Sequence, residues 1–262
     1  MSARSNIHPT AIVDSPARIP ASCSVGPFCI VGEDVEIGEG CELLSHVVLK
    51  GPTTIGANNR VFTFTTLGLD PQDLKFKGEK TRLQIGDNNV IRESVTIHRG
   101  TPAGGGITRI GSNCLIMAYA HIAHDCEIAD NVIMANAATL AGHVTVEEYA
   151  VVGALCPVHQ FVRIGAYSYV GGGTTITQDV LPFSLTSAKR EVHAFGINSV
   201  GLQRKGFSKE RLRKIHSAYR IMLSSKVNVG DALAKIKAQG ELSEDVKRLV
   251  KFVEGSERGI LK

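Results

Sequence analysis

Five of the nine histidines in this 262-residue chain, His98, His121, His124, His143 and His159, lie within a span of 62 residues. Asp125 directly follows His124, and Gln160 follows His159. Imidazole titrates near neutrality, so such a set suits proton transfer by a general base. The same residue types also suit zinc, which takes imidazole nitrogens at about 2.1 Å. A third reading is bland, because polar histidines commonly decorate exposed turns. Residue types alone leave all three open, and what separates them is where the backbone places these side chains.

The placement follows from a repeat. Stepping by six gives Ile7, Val13, Ile19, Val25, Val31, Ile37, Leu43, Leu49, Ile55, Val61 and Leu67, then Ile85, Ile91 and Ile97. The register resumes, displaced, at Ile110 and runs through Ile116, Ile122, Ile128, Met134, Leu140, Val146, Val152, Val158, Ile164 and Val170 to Ile176. All 26 positions are aliphatic or Met. A period of six fits neither a helix nor an alternating strand. It fits one short strand plus a turn per hexad, three hexads to a triangular coil, and coils stacked about 4.8 Å apart. This predicts a left-handed parallel β-helix of about nine or ten coils over residues 1–188, against the usual right-handed crossover. Two stretches break the register, near 68–84 and 98–109, and insertions into a solenoid are commonly functional. The second contains Gly104-Gly105-Gly106, which predicts mobility. Numbered within an 18-residue coil, His98, His121, His124, His143 and His159 take offsets 15, 13, 16, 17 and 15, whereas His8 and His46 take 9 and 11. Both insertions leave after offset 14, on the same edge. That coincidence favours a site over decoration.

Beyond residue 188 the pattern changes to helical spacing, with Ser208 as N-cap of one helix and further helices after Asn228 and Ser243. Residues 1–188 carry a net charge of −5 and residues 189–262 a net charge of +9. A basic tail suits acidic partners, but its basic residues lack interleaved aromatics, which argues against nucleic acid. No apolar run is long enough to span a membrane. The N-terminal residues lack a signal segment. Six cysteines with no CxxC pair read as reduced buried thiols, so a cytoplasmic protein is expected.

The stretches Ile7-His8-Pro9-Thr10-Ala11, Gln72-Asp73-Leu74-Lys75, Ile97-His98-Arg99-Gly100, Ala120-His121-Ile122-Ala123-His124-Asp125-Cys126, Leu140-Ala141-Gly142-His143-Val144, Val158-His159-Gln160-Phe161 and Arg204-Lys205-Gly206-Phe207 are specific. Together they make the chain resemble, over essentially its full length, the UDP-N-acetylglucosamine O-acyltransferases of lipid A biosynthesis. The resemblance implies a homotrimer with sites between subunits. It implies transfer of an (R)-3-hydroxyacyl group from acyl carrier protein to the 3-hydroxyl of the glucosamine ring of UDP-N-acetylglucosamine. No metal and no cofactor are implied beyond the phosphopantetheine on the carrier. By the matching motifs, His124 is the general base, Asp125 orients it and the Gly142 N–H holds the oxyanion. Asp73, Lys75 and His121 hold the sugar, and His98, His143, His159 and Gln160 line the site. Asn198, Arg204 and Lys205 meet the nucleotide, and Gly172 caps the acyl pocket. Lys205 stands where the family has a second arginine, and Val200 where it often has a glutamate. Metal-dependent hydratases share the fold type, but His121 and His124 are three residues apart, which is not their spacing.

Overall fold

The computed structural model describes residues 6–14, 17–188, 192–224 and 227–261. The hexads form strands of two to four residues that stack in parallel into three sheets. One sheet contains Ile30–Val31, Thr96–His98, His121–Ile122, Thr139–Leu140 and Pro157–Val158. The second contains Arg82–Ile85, Ile107–Ile110, Glu127–Ile128, Thr145–Val146 and Arg163–Ile164. The third runs from Ser24–Val25 through Ile133–Met134, Val151–Val152 and Tyr169–Val170. The chain visits them in turn, so the molecule is a three-faced prism, a left-handed parallel β-helix.

Register is strict: Ile97 pairs with Ile122, Ile122 with Leu140 and Leu140 with Val158. Each of these is buried, so one aliphatic side chain per face fills the prism at every level. Burying one contributes roughly 1.5–3 kcal/mol, and burial of the whole column outweighs the entropy lost in so many turns. The turns have a shared backbone signature. Non-glycine residues with positive φ recur at the corners, among them His46 (59°), Asp125 (60°), His143 (62°), Phe161 (65°) and Tyr167 (58°). That region is disfavoured for L-residues. Here the level below imposes it, as when the N–H of His143 donates to the carbonyl of His124 at 3.0 Å. All six cysteines are buried and free.

The period ends in a hairpin, Ser184–Ala188 against Val192–Ile197, which straddles residue 188, where the sequence placed its boundary. Four helices follow: α1 (Ser199–Arg204), α2 (Lys209–Met222), α3 (Val229–Lys237) and α4 (Glu244–Glu254). The Ser208 side chain caps α2 as expected, α3 follows Asn228, whose side chain caps it, and α1 is new. The helices close over one end of the prism. Tyr219 donates its hydroxyl to the carbonyl of Pro182. The Arg163 guanidinium lies 4.1 Å over the Phe252 ring, and Arg248 pairs with Glu148 at 2.5 Å. Among the described residues no helix is long and apolar enough to cross a membrane.

Candidate active site

Three corners run the length of the prism. One carries the turns at 124–125, 142–143 and 160–161, and both register breaks emerge from it, one after Thr66–Leu69 and the other after Thr96–His98. This is the histidine edge that the offsets predict. Within it His124 Nδ1 lies 2.7 Å from Asp125 Oδ2. A carboxylate can only accept, so Nδ1 carries the proton and Nε2 presents its lone pair. The Asp125 side chain is 1% exposed, and a buried carboxylate needs donors. Besides His124 it has the backbone N–H of Thr101 at 2.7 Å and the Thr101 hydroxyl at 2.6 Å. The Asp125 N–H in turn donates to Thr108 Oγ1 at 2.8 Å.

Gly142 sits one level up, against the His124 ring: a Cβ there would lie 2.5 Å from Cε1 and 2.9 Å from Nε2. Its N–H has no hydrogen-bond partner among the described residues. His143 Nε2 is 3.7 Å from Asp125 Oδ2, and its ring packs edge-on to His124 and stacks on Phe161 at 4.5 Å. His98, from the level below, packs edge-on at 5.1 Å to His121 of the His124 coil, and Thr96 Oγ1 meets His121 Nδ1 at 2.6 Å.

Burial is the first cause that depresses these imidazoles, and mutual repulsion is the second. His98 is pushed down to about 4 by desolvation and then by His121 and His124, against the opposing pull of Asp70. His121 is lowered by burial and by His124. His143 is lowered by burial, although Asp125 and Asp73 pull it upward. The cleft therefore holds these three rings uncharged at neutral pH. The donor atoms of His124, Asp125 and His143 lie within 4.8 Å of one another, a spacing a divalent cation could bridge. The carboxylate is, however, already committed to three donors.

Other expected residues lie elsewhere. Asp73 is close enough to act electrostatically on His143, and its carboxylate accepts from the Lys75 N–H at 3.0 Å. The Lys75 side chain is exposed. His159 does not join the cluster: it is exposed, and Arg258 Nη2 lies 2.9 Å from its Nδ1. Gln160 is exposed as well, and the next residue, Phe161, covers His143. In this turn it is the left-handed residue, Phe161, that stacks on the level below. Asn198, Arg204 and Lys205 line a separate cleft of about 440 Å³ with Tyr149, Tyr167, Tyr169 and Val200. The Lys205 ammonium sits 4.5 Å over the Tyr149 ring. This cleft lies on the third sheet, the face opposite the histidine corner. Gly172 belongs to another corner, with the turn at 154–155 below it; a Cβ there would lie 3.2 Å from the Ala154 carbonyl oxygen, and the next-nearest atom is 3.7 Å away.

Sequence reasoning missed Thr101, Thr108 and Phe161. The register break hides the first two, and only the turn geometry identifies the third.

The same fold recurs in known proteins. Residues 179–261 match the family described as Udp N-acetylglucosamine O-acyltransferase, domain 2, and residues 16–51 and 107–142 match bacterial transferase hexapeptide repeats. An acyl-[acyl-carrier-protein]–UDP-N-acetylglucosamine O-acyltransferase of Thermodesulfovibrio yellowstonii is 48% identical over 97% of this chain and 98% of its own length. The UDP-N-acetylglucosamine acyltransferase of Francisella novicida superposes with a TM-score of 0.95 at 38% identity, covering 97% of this chain and 93% of that one. LpxA from Acinetobacter baumannii gives 0.94 at 43% identity, covering 98% and 99%. With near-complete coverage in sequence and in structure, the chain belongs to the UDP-N-acetylglucosamine O-acyltransferase family.

Proposed function

We propose that this protein transfers an (R)-3-hydroxyacyl group from acyl carrier protein to the 3-hydroxyl of UDP-N-acetylglucosamine, with His124 as the base. The observation that carries this reading is the His124 ring, oriented by Asp125 at 2.7 Å and packed against Gly142, whose N–H has no partner among the described residues. A sugar hydroxyl is a weak nucleophile at neutral pH. His124 Nε2 takes its proton as the oxygen attacks the thioester carbonyl carbon. The carbonyl oxygen gains negative charge, which the Gly142 N–H receives. The carbon–sulfur bond then breaks, and the thiolate leaves with the proton that His124 holds. Asp125 stabilises the imidazolium between the two transfers.

Opposite placement of the two clefts supports an assembly. The histidine corner and the Asn198–Arg204–Lys205 cleft lie on opposite sides of one prism, so one chain cannot offer both to a single sugar nucleotide. A neighbour whose third face meets this corner completes the site, and three such contacts close a ring. Arg204 and Lys205 suit the diphosphate. Lys205 keeps the charge of the arginine it replaces but loses the paired donors.

The test is mass spectrometry of the product made from a mixed pool of 3-hydroxyacyl carrier proteins and UDP-N-acetylglucosamine, with and without EDTA. The expected result is one ester-linked acyl group, unaffected by EDTA. Absence of acyl transfer would overturn the reading. Inactivation by EDTA would put a metal at His124, Asp125 and His143 instead.

A further inference from the structure

We propose that Thr101 positions the catalytic pair from within the second register break. The inference rests on the reading of His124 and Asp125 as base and orienting carboxylate. Thr101 is 3% exposed and gives Asp125 two donors, its backbone N–H to Oδ1 and its hydroxyl to Oδ2. Oδ2 is the oxygen that also takes the His124 proton. Thr101 thus fixes which carboxylate oxygen faces the imidazole and at what angle.

The surrounding loop is built for this contact. Pro102–Gly104 forms a single 3₁₀ turn, and the Gly106 N–H returns to the Thr101 carbonyl at 2.8 Å. The glycines have distinct jobs. A Cβ on Gly104 would lie 2.0 Å from Asp125 Cγ, so this residue must be glycine for the loop to reach the carboxylate. Gly105 and Gly106 have φ of 87° and 78°, and a Cβ on either would meet nothing within 4 Å; they close the turn. The run that the sequence suggests is a mobile segment is a closed turn seated on Asp125.

Among the described residues, the charged and titratable neighbours of the pair are His121 and Cys126 on the same coil, His143 on the coil above, His98 on the coil below, and Asp70 and Asp73 from the first register break. None of them supplies the donors that Thr101 supplies. A hydroxyl donating to Oδ2 draws charge from the oxygen that His124 shares. Its loss leaves Asp125 freer to rotate and a stronger acceptor toward His124. Two effects follow: a lower kcat from lost orientation, and a more stable imidazolium.

The test is steady-state kinetics of Thr101→Val and Thr101→Ser in the full-length protein, with Asp125→Asn alone and combined with Thr101→Val. Thr101→Val is expected to lower kcat about 10- to 100-fold, in the range of one charge-assisted hydrogen bond, with KM for the nucleotide sugar within about two-fold. The acid limb of its kcat/KM profile should move to higher pH, and Thr101→Ser should restore both. In the Asp125→Asn background the same change should cost little more, because the two act as one unit. Should Thr101→Val fail to fold, Thr101→Cys, a weak donor of similar size, is tested for the same direction of change. Wild-type kcat and an unmoved acid limb in the tested variant, or losses that multiply in the double variant, would overturn the proposal while His124→Ala still reports on the base. An inactive wild type would instead remove the reading on which it rests.

Discussion

His46 and His143 occupy the same kind of turn, at φ of 59° and 62°, on two corners of one prism. His46 lies between Phe28 and Phe64 at 5.0 Å each and is exposed. That corner continues upward through exposed Tyr119 and Leu155. His143 lies between His124 and Phe161, with Asp125 near its Nε2 and with Asp73 of the first register break acting on it. The coil supplies the same turn conformation to both, so the backbone alone does not set a histidine's surroundings. What differs is cover. Two segments leave the regular coil at the His143 corner, and they bring Asp70 to act on His98, Asp73 to act on His143 and Thr101 onto Asp125. Burial at this corner depresses His98, His121 and His143.

The sharpest way to break this contrast is to delete one ring from each corner. His124→Ala should lower kcat about 10²- to 10⁴-fold with its melting temperature little changed, whereas His46→Ala should leave turnover at the wild-type level. Retention of more than about a tenth of the activity by His124→Ala would remove it as the base. Gly142→Ala comes next: its Cβ would fall 2.5 Å from His124 Cε1, so the ring must move. A misplacement of that size costs about 10²-fold in kcat. Ser45→Ala, the first turn residue before His46, should cost nothing in the same assay.

Across the prism the effect should be smaller and of another kind. Arg204→Ala should raise KM for the nucleotide sugar about tenfold, as a lost charge-assisted phosphate contact would, and should change kcat less. An unchanged KM would separate that cleft from the nucleotide. The smallest effect concerns stability. His98 is held down to about 4, so below pH 6.5 the unfolded chain takes a proton that the folded chain refuses. Stability is therefore lost as pH falls from 6.5 toward 4, and the loss levels off below. Chemical denaturation across that window should show a shallower pH slope for His98→Gln than for wild type. Parallel slopes would mean that His98 is not held neutral.

Much of this was readable before the structure. Hexads such as Ile116, Ile122 and Ile128 specify strand, face and level together, because a short repeat leaves no freedom of register. Offsets then placed His124, Asp125 and His143 on one edge, and both register breaks with them. For His159 and Gln160 the same arithmetic gives the corner and no more, because it locates a residue there without saying which turn residue folds inward. Thr101 was out of reach: it lies inside a break, where no offset applies, and its partner is 24 residues away. Asn198, Arg204 and Lys205 came only through resemblance, and their place on the face opposite the histidine corner is visible only once the coil closes.

The central claim is that Asp125 fixes the His124 proton on Nδ1 and leaves Nε2 bare for the sugar hydroxyl. Multiple-bond ¹H–¹⁵N correlation of histidine-labelled protein at pH 8, with His124→Ala to assign the signal, reads this tautomer directly. The expected result is a His124 ring protonated at Nδ1, and the same ring shifted toward a mixture of tautomers in Asp125→Asn. A wild-type His124 with its proton on Nε2 would contradict it.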